Sequence, residues 1–135
     1  MSIEQRVEEI KDDLDLFENE LEKYEYIIDL GKKLENFDEK DKISENIVHG
    51  CTSQVWLICK EEDGKLFFYG TSDAIIVKGL VYIILKIFSG ASIDELKNID
   101  TDIVFDLKLT EIVTPNRQSG VIGMIKKIKD YIQKV

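Results

Sequence analysis

The two cysteines are the side chains of this sequence best suited to covalent chemistry, and Cys51 has the more informative neighbours. It lies in the run His-Gly-Cys-Thr-Ser at positions 49–53. A glycine beside a cysteine allows a sharp backbone bend, so the thiol can be presented on a loop. Because the thiolate is a strong nucleophile, a loop position would allow thiol chemistry at Cys51, and the alternative there is a small buried hydrophobic residue. Cys59 fits the commoner role of a small buried hydrophobic residue, since it falls inside a predicted strand.

A disulfide between these two cysteines is not expected. They are eight residues apart in one extended segment, which would separate their Cα atoms by about 25 Å. A disulfide requires a Cα separation below about 7 Å. We therefore expect two free thiols, as in proteins of the reducing cytosol.

His49 could make a catalytic pair with Cys51. Positions two apart share a face of an extended segment, so the imidazole could serve as a base for the thiol. That arrangement would suit a Cys-dependent hydrolase or peroxidase. We favour the simpler interpretation, in which His49 is an exposed loop imidazole.

Other site chemistries lack the residues they need. The chain has one histidine and two cysteines, whereas a structural zinc site usually takes four such ligands. We therefore expect no metal and no bound cofactor. The phosphate-binding patterns GxxxxGK[ST] and GxGxxG do not occur, and neither does the GxSxG pattern of serine hydrolases.

Charge and hydropathy exclude two classes of partner. The formal net charge is −9, which disfavours nucleic acid and anionic membrane surfaces. The longest apolar stretch, 74–88, is interrupted by Lys78 and Lys86 and is shorter than the roughly 20 residues that span a bilayer. Because the first ten residues also do not resemble a signal peptide, we expect a cytoplasmic protein.

The first thirty residues predict a helix with one apolar stripe. Apolar side chains recur there at alternating steps of four and three, namely at Ile3, Val7, Ile10, Leu14, Phe17, Leu21, Tyr24 and Ile28. We expect a long or broken helix packed on the domain, with a coiled coil as the alternative. The many acidic residues around this stripe predict a solvated face. The alternative is a docking face, which would make the chain a non-catalytic protein adaptor.

The middle of the sequence predicts a β-hairpin followed by a buried helix. Residues 46–59 are rich in strand formers, 61–64 (Glu-Glu-Asp-Gly) predict the turn, and 66–69 the return strand. Ser72 or Asp73 could cap the next helix, 74–88, which is apolar on nearly all sides.

The last third predicts helices. Ser92 and Glu95 form a capping-box pattern that opens a short helix ending near Asn98. Residues 105–113 predict another short helix or turn. Thr114-Pro115 is a start signal for a last helix that runs to about Ile132. The whole chain, 1–135, is thus predicted to be one α+β domain, with helices on one face of a small antiparallel sheet.

Several motifs of this sequence together resemble the SufE family, the sulfur acceptors of cysteine desulfurases. These motifs occur in the order and at the spacing of the family, and together they extend over nearly the whole chain. They are Lys23–Gly31, Gly50-Cys51-x-Ser53-x-Val55-Trp56-Leu57, Ser72-Asp73-Ala74-x-Ile76-Val77-Lys78-Gly79-Leu80, and Leu109-Thr110 through Thr114-Pro115-x-Arg117-x-x-Gly120. The resemblance implies a SufE/NifU-like fold. It also implies that the first helix is broken around 17–20.

The resemblance further implies a function. Cys51 would take persulfide sulfur from a SufS-like cysteine desulfurase, whose own pyridoxal phosphate makes the persulfide, and would pass it to an iron–sulfur scaffold. The chain would activate the desulfurase instead of being an enzyme by itself. Whether it acts as a monomer or a homodimer is left open.

Four residues are then expected to position the loop and the thiolate. Gly50 bends the loop and Ser53 hydrogen-bonds within it. Arg117 is the candidate cation that lowers the pKa of the Cys51 thiol. Asp73 is its candidate ion-pair partner, and such a pair could fix the loop that carries Cys51.

Overall fold

The computed structural model describes residues 1–50, 53–109 and 115–135, the last range without the side chains of residues 115–117. Its helices and strands are α1 (Ile3–Asp15), α2 (Glu20–Gly31), β1 (Val55–Glu62), β2 (Lys65–Ser72), α3 (Ile75–Phe88), β3 (Ala91–Ser92), α4 (Ile93–Asn98) and α5 (Pro115–Gln133). Short 3₁₀ helices cover Glu39–Asp41, Ser44–Asn46 and Thr101–Leu107.

The three strands form an antiparallel sheet in the order β1-β2-β3. The β1–β2 hairpin turns at Asp63 and Gly64, which both have positive φ angles, of 53° and 75°. An Asp-Gly pair suits this tight turn, because its twist matches that of the flanking strands. The predicted hairpin is therefore confirmed, with a turn two residues shorter than expected. β3 pairs with only the first two residues of β2.

The apolar core lies between one face of this sheet and the helices. Val55 and Leu57 of β1 and Leu66 and Phe68 of β2 are buried on that face. The helix α3 packs along β2, and most of its residues are buried. The predicted α+β class, with helices packed on a small antiparallel sheet, is confirmed.

The predicted single apolar stripe through the first thirty residues is wrong. The chain breaks between α1 and α2, where the Asn19 side chain accepts a hydrogen bond from the Glu22 N–H and starts a new helix. This restart changes the helical phase, so Leu21 is 66% exposed while Ile27 and Leu30 are buried. The break implied by the family resemblance is thus observed.

The two glycines Gly31 and Gly79 let α2 and α3 approach each other at backbone distance. A Cβ atom on Gly79 would lie 2.0 Å from the carbonyl oxygen of Ile27, and one on Gly31 would lie 2.7 Å from the Gly79 nitrogen. Neither position therefore tolerates a side chain without movement of a helix. Gly31 is also the last residue of α2.

The last third differs from the prediction at its caps. The Ser92 hydroxyl accepts from the Glu95 N–H as expected, but the Glu95 carboxylate accepts from the N–H of Ile3 and so ties α4 to the start of α1. The predicted helix at 105–113 is replaced in its first part by the 3₁₀ helix, and residues 110–114 lie outside the described residues. The last helix begins at Pro115 and ends one residue beyond the predicted end.

Candidate functional site

The segment 49–54, called the Cys51 loop below, lies immediately before β1 in the sequence, and the structure describes its positions 49, 50, 53 and 54. The N–H of Val48 donates to the carbonyl of Val55 at 2.8 Å, which closes the loop at its base. An antiparallel bridge between Ile47 and Trp56 lies just outside that bond. Cys51 lies outside the described residues, and so does Thr52, so the site is defined by the residues on both sides of them.

The N-terminal side of the loop depends on a glycine. Gly50 has a φ of +91°, a conformation that L side chains rarely adopt. The sharp bend predicted next to the cysteine is therefore present. His49 and Gly50 are both exposed, which places this part of the loop at the protein surface.

The helix α5 supports the same side of the loop at backbone distance. A Cβ atom on Gly123 would lie 2.3 Å from the carbonyl oxygen of His49 and 3.0 Å from the Val48 side chain. Gly123 was not among the predicted site residues. A signal for it exists, because glycine in a helix interior costs about 1 kcal/mol relative to alanine and often marks a close backbone contact.

The C-terminal side of the loop is fixed at Gln54 by three hydrogen bonds. The Asp73 carboxylate accepts from the Gln54 N–H at 3.1 Å, and the Asp73 N–H donates to the Gln54 carbonyl at 3.3 Å. The Ser72 hydroxyl donates to that same carbonyl at 2.8 Å. This set of contacts joins the end of β2 to the residue that precedes β1.

These contacts correct the prediction that Ser72 or Asp73 caps the following helix. The N-cap of α3 is Ala74, without a side-chain hydrogen bond to the helix. The Ser72 hydroxyl accepts from the N–H of Ala74 itself, and Asp73 is directed to the Cys51 loop. The competing partner, Gln54, is remote in sequence, and so the capping pattern alone could not reveal it.

The remaining predicted site residues are placed only in part. Arg117 belongs to the first turn of α5, and its side chain lies outside what the structure describes. The proposed ion pair with Asp73 therefore stays a prediction. Ser53 is half-buried within the loop. His49 contributes its carbonyl to the contact with Gly123, and its exposed position matches the interpretation favoured above.

Cys59 has an environment that suppresses nucleophilic chemistry. It is a free thiol in β1, paired in register with Phe68 and partly buried. Burial, helped by the nearby negative charge of Glu61, raises the pKa of the Cys59 thiol to about 11. It therefore stays protonated at neutral pH, and a thiol is a much weaker nucleophile than a thiolate.

The described residues contain neither a metal-ligand cluster nor a membrane-spanning helix. Among residues 1–50, 53–109 and 115–135, no three His, Cys, Asp or Glu side chains lie together in a group that could hold a metal ion. Across the same ranges, no helix combines the length and the apolar character that a membrane span requires.

Known proteins of one family are similar to this chain over most of its length. The family model SufE, described as an Fe-S metabolism associated domain, matches residues 8–132. An uncharacterized SufE-like protein of Rhizobium meliloti (strain 1021) is 42% identical over 128 residues, which cover 91% of this chain and 91% of that protein. The solution structure of a hypothetical protein from Thermus thermophilus has a TM-score of 0.77 at 17% identity and covers 96% of this chain and 94% of its own. That last likeness concerns the fold alone.

Proposed function

Because the chain belongs to the SufE family, whose role is sulfur transfer in iron–sulfur metabolism, we propose that Cys51 is its sulfur-accepting residue. In this proposal a cysteine desulfurase supplies the sulfur as a persulfide. The chain carries the sulfur on Cys51, stimulates the desulfurase, and delivers the sulfur to an iron–sulfur scaffold in the cytoplasm.

The observation that carries the proposal is the two-sided fixation of the Cys51 loop. Its base is closed between Val48 and Val55, its first residues rest on α5 at Gly123, and its last residue is bonded to Asp73 and Ser72. The described residues next to Cys51 are exposed or half-buried. A surface loop anchored in this way can offer a thiol to a partner protein at a defined position.

Cys59 is a poor candidate for the sulfur acceptor, and this supports the assignment of that role to Cys51. Cys59 lies within the hairpin, and its raised pKa of about 11 keeps it protonated at neutral pH. The acceptor must instead be a thiolate that a second protein can reach. Of the two cysteines, Cys51 is the one that follows the bent backbone of Gly50 in the sequence.

The transfer step needs no oxidant. The Cys51 thiolate attacks the outer sulfur of the desulfurase persulfide and forms a new S–S bond. The S–S bond of the donor breaks, its electron pair leaves with the donor cysteine, and the persulfide proton passes to that cysteine. Cys51 is oxidised to a persulfide while the donor cysteine is reduced to its thiol, so atoms and electrons balance.

Arg117 in α5 is the residue proposed to stabilise the Cys51 thiolate. Arg117 precedes Gly123 by six residues, which is about 9 Å along the helix axis, and Gly123 touches the loop. A guanidinium at this end of α5 would favour the ionised form of Cys51. His49 has no required part in this scheme. Pyridoxal phosphate belongs to the desulfurase, where it generates the persulfide.

The proposal can be tested by desulfurase turnover. Alanine formation from cysteine is measured with a purified desulfurase, alone and with the wild-type chain, Cys51→Ser or Cys59→Ser. We expect wild type and Cys59→Ser to accelerate alanine formation, and Cys51→Ser to leave it at the basal rate. Equal acceleration by Cys51→Ser would overturn the proposal and favour a non-catalytic adaptor. Turnover of a small ester or peroxide without a desulfurase would favour the hydrolase or peroxidase alternative.

A further inference from the structure

A groove runs between α3, β2 and the segment 33–37. It consists of two adjoining cavities of about 590 Å³ and 510 Å³, which share Leu34, Glu35, Asn36 and Phe37 as lining residues. We call it the α3–β2 groove. Its walls include partly exposed aromatic side chains, among them Phe37, Phe67, Tyr69 and Tyr82.

The groove has the length of a short extended peptide. One stripe of α3 lines it at helical spacing, from Ile75 to Ser89. Fourteen residues of helix correspond to about 21 Å. An extended chain covers that distance in about six residues, at roughly 3.3 Å each.

The rim of the groove is basic although the chain as a whole is acidic. Five lysines and one glutamate line the two cavities, in a chain whose net charge is −9. Lys32 and Lys42 are paired with Asp29 and Glu39. Within the described part of the chain, no ion pair involves the other three lysines, Lys33, Lys78 and Lys86.

One wall of the groove also offers backbone hydrogen-bonding groups of a strand edge. Only Lys65 and Leu66 of β2 pair with β3, and the Phe68 N–H and carbonyl bond to the Ser89 hydroxyl. In an antiparallel sheet the backbone groups alternate in direction along a strand. The N–H and carbonyl of Gly70, two residues after Phe68, therefore point to the same edge, where Gly70 lines the groove.

We propose that the α3–β2 groove binds an extended acidic segment of a partner protein. The backbone of that segment adds beside β2 at Gly70, and its acidic side chains meet the unpaired lysines. Lys78 and Lys86 are eight residues apart on α3, or about 12 Å. Acidic residues four positions apart in an extended chain are separated by about 13 Å, so they match this spacing. Strand addition with side-chain specificity is a known mode of peptide recognition.

The groove ends next to the Cys51 loop. Thr71 and Ile75 line the second cavity, and between them in sequence lie Ser72 and Asp73, which bond to Gln54. A bound segment would thus hold its parent protein beside the loop. Peptide binding in the groove does not depend on the role proposed for Cys51, and the two proposals can fail separately.

The test uses a fluorescein-labelled peptide of about eight residues, alternating glutamate and valine, with binding followed by fluorescence anisotropy. A peptide of the same composition with all glutamates first and all valines last is the matched control. The groove variant carries Lys33→Glu, Lys78→Glu and Lys86→Glu. Its control carries Lys65→Glu, Lys126→Glu and Lys134→Glu, three exposed lysines that do not line the groove, so that both variants change the net charge equally.

We expect the alternating peptide to bind wild type and the control variant, and to bind the groove variant at least about tenfold more weakly. On the unmodified protein, amide resonances of Gly70 and of α3 should shift on titration with this peptide. Equal weakening by both variants would overturn the proposal, since it would show a non-specific charge effect. Equal binding of the block peptide, or shifts confined to residues away from the groove, would do the same.

Discussion

The α-carbon of Gly123 in α5 lies directly against the carbonyl oxygen of His49, two residues before Cys51, because a Cβ atom there would be only 2.3 Å away. Ordinary van der Waals contact begins near 3.4 Å. A side chain at position 123 must therefore shift α5 and the Cys51 loop relative to each other by about 1 Å. A misplacement of that size can slow a reaction by on the order of 10²-fold.

Gly123→Ala should accordingly slow sulfur acceptance strongly. The measurement is the rate of persulfide formation on the folded protein, after circular dichroism has established that the variant is folded. Gly79→Ala is the matched control, because a Cβ atom there would lie 2.0 Å from the Ile27 carbonyl, away from the loop. The control should lose stability yet accept sulfur at the wild-type rate. Wild-type rates for Gly123→Ala would contradict the supporting role of α5.

Two substitutions of Asp73 test how the C-terminal side of the Cys51 loop is held in place. Its carboxylate accepts the Gln54 N–H, and the loss of such a bond costs about 1 kcal/mol. In a Cys59→Ser background, Asp73→Ala should raise the alkylation rate of Cys51 severalfold, because the loop opens more easily. Asp73→Asn keeps an acceptor oxygen and should stay close to wild type. If both variants alkylate at the wild-type rate, Asp73 does not hold the loop.

Cys59 should show the pH dependence of a suppressed thiol. Since burial raises its pKa to about 11, the thiolate fraction at pH 8 is small and grows about tenfold with each pH unit up to that value. In Cys51→Ser, the iodoacetamide rate of the native protein should rise in this way between pH 8 and pH 10. A rate that levels off near pH 8.5, the ordinary range of a cysteine, would contradict the burial argument.

The same raised pKa has a consequence for stability. A thiol that ionises at a higher pH in the folded state than in the unfolded state stabilises the fold fully below the unfolded pKa, near 8.5. That contribution is lost as the pH rises towards about 11. The stability of wild type should therefore fall more steeply over this window than that of Cys59→Ala, as measured by urea unfolding at each pH. Parallel curves would exclude the effect.

Arg6 joins α1 to the end of α3. Its guanidinium donates to the carbonyls of Ile87 and Ser89, at 2.9 Å and 3.1 Å. These carbonyls belong to the C-terminal end of α3, where a cation is favoured. Arg6→Met should lower the free energy of unfolding by about 1.5–3 kcal/mol, and Arg6→Lys by less. Urea midpoints equal to wild type for both variants would show that the contact contributes nothing.

Much of the fold was predictable because it depends on local patterns. The Asp63-Gly64 hairpin, the nearly all-apolar α3 and the start of α5 at Pro115 each have signals within a few residues. The change in helical phase between α1 and α2 was harder to predict, because Phe17 and Leu21 continue the apolar spacing across the break. Only the packing of the folded chain decides which apolar side chains of such a run are buried.

The contacts that hold the candidate site were largely unpredictable for a related reason. Gly123 and His49 are far apart in sequence, and so are Asp73 and Gln54. Each residue had a plausible local role, as a helix residue or as a cap. In each pair, the contact between the two residues forms only because the fold brings distant parts of the sequence together. Gly50 was the exception, because its backbone conformation is a local property that glycine itself indicates.

The most direct test of the central claim is the intact mass of the chain after incubation with a cysteine desulfurase and cysteine. Wild type and Cys59→Ser should each gain about the mass of one sulfur atom, which a reductant removes, and Cys51→Ser should gain none. A reversible gain that persists in Cys51→Ser would place the acceptor elsewhere. The absence of any gain in wild type, with an active desulfurase present, would contradict sulfur acceptance by this chain.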